Sequence, residues 1–422
     1  MSVELKPIRV GVVGVGRGSS FARGAGAAVG MELVALCDTW EEKLEEVAGR
    51  LGEGGAKVSA YTEYSRFLEH DMDAVVLANY FHEHAPFAIE ALDAGLHVMS
   101  ECAACHTLAE GVALIRAVER TGKTYMFAEN YPFMAYNQEM RRLFQQGSIG
   151  EFTYGEGEYV HPDSARVKLA RSCGADHWRN WIPATYYCTH SLGPVMYITD
   201  TWPVKVNGFV VPYSPTDPTQ TMHMRRGDTA AAIICRMDND AVVKSLHGGL
   251  RGHQNFVRIH GTRGLMENCR HGNKSDLRIH REPYDKAAGE PGEVVYSPDF
   301  PQHHDQALRA GHGGGDFFTN NAFAEAIRSG EPPYLDVYRG VAMSIVGILA
   351  YRSALEDSAP VAVPDLRQEA ERSRYEKDDW SPDPARRGPG QPLPSIRGHI
   401  EPSEEAKTLA QEVWREAGYT GE

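Results

Sequence analysis

The chain has 422 residues, of which 42% are hydrophobic and 24% charged, with a formal net charge of −14. Such a length and balance give a globular protein with cores for two domains, and the acidic excess speaks against nucleic acid and anionic membrane surfaces as partners. No apolar run reaches the ~18 residues of a membrane helix, strand-like sequence begins too early for a secretory signal, and seven scattered cysteines read as free thiols; a cytoplasmic protein is expected.

In chain order, residues 8–14 form a short β-rich run, followed by Gly14-Val15-Gly16-Arg17-Gly18-Ser19 and a small-residue helix predicted over 21–30. Strand, glycine turn and helix in this order make a dinucleotide-binding unit, with Ser19 at the place of the third glycine. Gly14 and Gly16 allow the backbone to approach a pyrophosphate at the positive end of the helix. A second run, 31–37, ends at Asp38, where an acidic residue accepts ribose hydroxyls and repels a 2′-phosphate. NAD is therefore expected rather than NADP. Helices over 41–51, 63–69, 83–95 and 107–121 alternate with strands over 73–78, 97–100 and 124–128, which calls for a Rossmann-type, doubly wound parallel sheet.

The fifth strand runs into Glu101-Cys102-Ala103-Ala104-Cys105-His106. C-x-x-C-H is the spelling of a c-type haem attachment and contains a redox dithiol pattern. Its place at the carboxyl end of a sheet strand, where open α/β sheets bind ligands, argues for a different reading. Thr107 and Glu110 have the spacing of a capping box for the next helix.

This layout resembles the Gfo/Idh/MocA oxidoreductase family over nearly the whole chain. That family carries A-T-P-x-x-x-H after the fourth strand and E-K-P after the fifth; here the segments read Ala78-Asn79-Tyr80-Phe81-His82-Glu83-His84 and Glu101-Cys102-Ala103. Cys102 thus stands where the dehydrogenases keep a lysine that steadies the substrate hydroxyl, and a thiol is neither cationic nor long enough to replace it. The likeness narrows to the family 109 glycoside hydrolases, which use NAD without consuming it. Their M-E-N, A-Y-I-H, W-R and Y-P-T-H-G-x-G-P segments are matched in order by Ala128-Glu129-Asn130, Glu158-Tyr159-Val160-His161, Trp178-Arg179 and Tyr187-Cys188-Thr189-His190-Ser191-Leu192-Gly193-Pro194.

The resemblance implies a redox-neutral glycosidase acting on a pyranoside: transient oxidation at the sugar's carbon 3, elimination across carbons 1 and 2, water addition and re-reduction. It implies Tyr159 as the base at carbon 2, His190 for the 3-hydroxyl proton, Glu129 for the leaving group's proton, and Tyr187 and His161 completing the catalytic set. It further implies cofactor contacts from Gly14, Gly16, Arg17, Gly18, Ser19, Asp38, Asn79, His84, Glu101, Cys102, Asn130, Trp178 and Arg179. Tyr159 and His161, two apart on a predicted strand, share a face. Trp178-Arg179 suits a sugar face or cofactor phosphates, or else anchors a long loop. His161, His190 and Glu129 have the ligand types of a two-His, one-carboxylate divalent metal site, without a tight ligand spacing. His312, in Gly311-His312-Gly313-Gly314-Gly315-Asp316, either reaches the pocket or caps its loop.

Strands over 152–160, 204–211, 229–237, 241–246, 256–260 and 264–268 indicate an α+β second domain with a large, mainly antiparallel sheet. The expected division is an NAD-binding domain over 1–130, a substrate and oligomerisation domain over 131–378, and a proline-rich arm with a terminal helix (403–417) over 379–422. Helices are predicted over 316–327 and 337–355. The resemblance implies a homo-oligomer, a dimer or tetramer, and the terminal helix is a candidate for docking on a partner subunit. Two other functions stay open: a plain NAD-dependent sugar or inositol dehydrogenase, and a sugar-sensing protein without chemistry.

Overall fold

The computed structural model describes residues 6–52 and 57–421. The chain forms two compact units: residues 1–142, 297–342 and 366–377 make unit 1, and residues 143–296, 343–365 and 378–422 make unit 2. The expected boundaries at 130 and 378 therefore differ from the observed ones, since residues 297–342 return to the first unit and the proline-rich arm belongs to the second.

Unit 1 is built on six parallel strands, β1 (Ile8–Val13), β2 (Met31–Cys37), β3 (Ser59–Tyr61), β4 (Ala74–Leu77), β5 (His97–Ser100) and β6 (Tyr125–Phe127), in the order β3-β2-β1-β4-β5-β6. This is the doubly wound sheet expected. Every residue of β4 is buried, as is typical for strands covered by helices on both faces. The order reverses between β1 and β4, so a ligand crevice opens beyond their carboxyl ends. Gly14 follows β1 there at φ 85°, and a side chain on it would lie 2.4 Å from the Ala78 carbonyl oxygen after β4. Only glycine fits that close approach.

The first helix is shorter and earlier than predicted, Gly18–Gly24 rather than 21–30, because the run from Gly24 to Gly30 holds too many glycines to sustain it and turns into β2 instead. The edge strand β3 escaped the sequence reading because three residues carry no visible period. Thr107 caps the helix Leu108–Thr121 by accepting the Glu110 N–H at 3.1 Å, as its spacing indicated. The Glu110 carboxylate takes the N–H and ring of His106.

Unit 2 carries nine strands: β7 (Phe152–Val160), β8 (Pro203–Val211), β9 (Ala230–Met237), β10 (Val242–Gly248), β11 (Gln254–Gly261), β12 (Gly264–Asn268), β13 (Leu277–His280), β14 (Glu293–Tyr296) and β15 (Val361–Ala362). Their order is β14-β13-β12-β11-β7-β10-β9-β8-β15, antiparallel except for the β7–β10 pair. The buried helix Thr189–Thr199 crosses this sheet. It comes so close to β7 that a side chain on Gly157 would lie 1.7 Å from the Ser191 carbonyl oxygen, and Ser191 and Ser245 join their hydroxyls at 2.6 Å across the contact.

The terminal helix, Glu404–Glu416, packs within its own unit. Trp414 Nε1 donates to the Leu169 carbonyl at 3.1 Å, and Arg166 pairs with Glu412 and Glu416. Its apolar stripe is thus covered by the helix Ala165–Arg171 of the same chain. The arm before it is pinned where Asp228 accepts the Ser395 hydroxyl and the Ile396 N–H. Among the described residues, no helix is long and apolar enough to cross a membrane.

Candidate functional site

In unit 1 the glycine turn and Asp38 form one structure. Asp38 Oδ2 accepts the Val15 N–H at 2.8 Å and Oδ1 accepts the Trp40 N–H at 2.9 Å, which does not use up the lone-pair sites of the carboxylate. Burial pushes its carboxyl above the usual range, and backbone hydrogen bonds from Trp40, Val15 and Thr39 pull against that shift. Gly16 has open space around it, Gly18 lets the first helix close on Val12, and Ser19 ties its hydroxyl to the Gly16 carbonyl. Glycines without side-chain bulk, a helix start and an acid with spare lone pairs are the features a dinucleotide's pyrophosphate and ribose require, so these residues fit NAD.

Arg17 joins the turn to the other strand ends. Its Nε donates to Glu101 at 2.7 Å, and its two Nη donate to Asp316 at 2.8 and 3.1 Å. Asp316, 3% exposed, also accepts from Ser20 and Asn130 and pairs with His312 Nδ1 at 2.9 Å. Burial alone would raise its carboxyl, but His312 and Arg17 hold it far below the carboxylate range. His312 is thereby placed on Asp316, the centre of this network. Sequence reasoning quoted the segment but missed Asp316, whose signal was its position opening the helix Gly315–Ser329.

Asn79 donates to Glu83 at 3.0 Å. His84 is 1% exposed, kept neutral by burial, and its Nδ1 bonds the Ala103 carbonyl, so its ring braces the segment after β5. Cys102 is 4% exposed, and its Sγ donates to Glu129 at 3.2 Å while Glu101 accepts its N–H. The peptide bond from Cys102 to Ala103 is cis. Both Cys102 and Cys105 are free, buried thiols, burial pushes Cys105 well up, and His106 is sealed against Glu110 at 2.7 Å. C-x-x-C-H is here a buried turn in which both thiols are unbridged and the histidine pairs with Glu110.

Unit 2 brings together most of the predicted catalytic side chains. Tyr159 near the end of β7 has ring centroids 4.7 Å from His190, 5.6 Å from His161 and 6.2 Å from Tyr187. Tyr187 meets His190 edge-on at 4.8 Å. Arg179 lies over Trp178 at 4.2 Å and extends to Tyr187 at 5.9 Å, so the W-R pair adjoins this cluster and is not only a loop anchor. The sequence reading missed His247, the register partner of Tyr159 on β10, because the strand was expected to end at 246. Its ring stacks on Tyr159, Nδ1 bonds the Ala184 carbonyl at 3.1 Å, and burial, with neighbouring cations, drives its pKa down to about 3.

The two-His, one-carboxylate metal site left open by ligand type alone gains nothing from His161 in unit 2. Among the described residues His161 joins no group of three ligating side chains there. Its Nδ1 lies 3.3 Å from Asp163 and its ring meets His253 edge-on.

Residues 133–372 match the family described as glycosyl hydrolase 109, C-terminal domain, and residues 8–129 match the oxidoreductase family with an NAD-binding Rossmann fold. A glycosyl hydrolase family 109 protein of Saccharopolyspora erythraea is 27% identical over 390 residues, covering 85% of this chain and 83% of that protein. One from Shewanella woodyi is 26% identical over 410 residues, covering 88% and 87%. Among solved structures, levoglucosan dehydrogenase in complex with NADH superposes with a TM-score of 0.72 at 21% identity, over 85% of this chain and 99% of that one. An oxidoreductase domain protein from Kribbella flavida gives 0.70 at 18% identity, over 85% and 100%. At these identities the two structures show the fold alone. Turn, sheet order and sequence match together place the chain in glycosyl hydrolase family 109, an enzyme branch of the Gfo/Idh/MocA oxidoreductases with their NAD-binding Rossmann fold.

Proposed function

We propose that the protein is an NAD-dependent, redox-neutral glycoside hydrolase of pyranosides. The observation that carries this reading is the packing of the Tyr159 ring in unit 2, 4.7 Å from His190 and 5.5 Å from His247, which sets two proton-handling groups side by side with a third ring bracing one of them. NAD, when bound, supplies a hydride acceptor for the sugar's carbon 3 and returns the hydride at the end of the cycle.

The chain's own groups handle the protons. His190, on the helix Thr189–Thr199, takes the 3-hydroxyl proton as the ketone forms. The ketone acidifies the proton on carbon 2, and Tyr159 removes it; the bond from carbon 1 to the leaving group then breaks by elimination. Neutral His247, fixed by Ala184, orients the Tyr159 ring by stacking on it. Glu129 is the group proposed for the leaving group's proton, Tyr187 and Arg179 for the sugar ring, and Gly14, Gly16, Arg17 and Asp38 for the cofactor. Cys102 in place of the dehydrogenase lysine favours a cycle without net oxidation over a plain dehydrogenase.

The test is release of aglycone from a panel of chromogenic α- and β-pyranosides by the purified protein. Release that requires NAD⁺ but accumulates no NADH supports the proposal. NADH formed in proportion to substrate, with the glycoside intact, overturns it in favour of a dehydrogenase.

A further inference from the structure

Unit 2 holds a group of basic side chains that the proposed chemistry does not use. Lys168 lies on the helix Ala165–Arg171, which contacts the short helix Pro218–Thr221. Just beyond that second helix come His223 and Arg225. His223 is 4% exposed, and neither of its ring nitrogens has a hydrogen-bond partner. Lys168 Nζ would stand 3.4 Å from a side chain at Gly249, the residue after β10, and has no ion-pair partner among the described residues. Arg225 spends only its Nε on the protein, donating to the Gly227 carbonyl at 3.0 Å.

The acids around them are committed elsewhere. Asp217 is held by both Nη of Arg251 at 2.9 Å, Asp163 by Arg171 and His161, and Asp228 by the Ser395 hydroxyl and two backbone N–H groups. Burial lowers Arg225 to about 10, and burial together with repulsion from neighbouring cations lowers Lys168 to about 8 and His223 to about 3. Two cationic groups beside a buried histidine with both nitrogens unused cost the fold free energy unless an anion joins them. The group also adjoins the proposed catalytic rings. Gly249 lies two residues beyond His247, which stacks on Tyr159, and His161 donates its N–H to the Gly248 carbonyl.

We propose that Lys168, His223 and Arg225 form an oxyanion subsite, so that the natural glycoside carries a carboxylate, phosphate or sulfate group, an assignment that builds on the glycosidase reading. Lys168 supplies a compact charge, Arg225 a planar pair of donors and His223 a buried N–H. The ring cluster of Tyr159, Tyr187 and His190 would take the sugar, and the basic group would select its acidic substituent.

The test uses the NAD-loaded protein and ring-matched ligands: methyl glucoside and methyl galactoside, their uronides, their 6-phosphates and their 6-sulfates, with inorganic phosphate and sulfate as ring-independent probes. Binding is read by calorimetry, turnover by aglycone release from the corresponding chromogenic glycosides, and folding by circular dichroism. At least one anionic series should bind tenfold or more tightly than its neutral counterpart, with the advantage shrinking as salt rises. Comparison of the three series identifies the oxyanion. Lys168→Met should remove most of that advantage by raising KM for the anionic substrate, and Lys168→Arg should restore it. Equal binding of neutral and anionic partners, no binding of any probe, or an advantage that survives Lys168→Met and Arg225→Gln overturns the subsite. Hydrolysis without anionic preference leaves the glycosidase reading intact and sinks the subsite alone. A salt-sensitive, Lys168-dependent preference without any hydrolysis sinks the glycosidase reading and keeps the subsite.

Discussion

The rings of Tyr159 and His247 lie 4° from parallel with centroids 5.5 Å apart, because the two residues are register partners on the parallel pair β7 and β10. A cross-strand stack of this kind fixes ring direction more firmly than a loop would. If Tyr159 removes the carbon 2 proton, Tyr159→Phe keeps the stack and loses the acid–base group. Aglycone release should fall by a factor of about 10² or more while NAD binding stays at the wild-type level. His247→Ala should reduce kcat less, since it loosens the ring without removing the proton carrier. Steady-state kinetics with a cofactor titration separates the two.

Gly157 sets how closely the helix Thr189–Thr199 approaches β7, and with it the His190–Tyr159 spacing. Because the atom met is the Ser191 backbone oxygen, no side-chain rotation relieves the clash. Gly157→Ala should cost about 3 kcal/mol or more of stability and most of the activity. Thermal unfolding and turnover of the same preparation check both.

Asp316→Asn should weaken NAD binding and lower unit 1 stability by about 3 kcal/mol, because the buried Asp316 receives Arg17, His312, Ser20 and Asn130. Its depressed carboxyl also gives a pH dependence. The stabilisation is present above the unfolded carboxylate pKa of about 3.9 and is lost only as pH falls through the lower folded value. Denaturant titrations of the variant should therefore show a flatter acid limb than those of the wild type.

His223 and His247 act in the same direction as Asp316 but from a higher pH. Each has a folded pKa of about 3 against an ordinary 6.5, so between those values the unfolded chain binds more protons and folding is penalised as pH drops. Stability should decline from about pH 6.5 toward pH 3, and His223→Gln should make that decline shallower. Parallel curves for variant and wild type would show that His223 is not held neutral.

Much of this was legible in the sequence wherever local signals agreed. The Gly14 turn, Asp38 after β2 and the alternation of strands and helices each carry their own physical signature, and the doubly wound parallel sheet followed from them. Tyr159, Tyr187, His190 and the Trp178-Arg179 pair were found through motif order and do gather in unit 2. Asp316 and His247 were missed because each acts through tertiary contacts to residues far away in sequence, which no window of neighbouring residues reveals. The terminal helix shows the reverse problem: its amphipathic stripe announced a partner but not that the partner was the helix Ala165–Arg171 of the same chain.

The central claim, that hydride leaves carbon 3 and returns within one cycle, is tested most directly by running the glycoside reaction in deuterated water with NAD⁺. Aglycone release with deuterium at carbon 2 of the sugar and no net NADH is the expected result. Release without deuterium at carbon 2, or one NADH formed per sugar with the glycosidic bond intact, would contradict it.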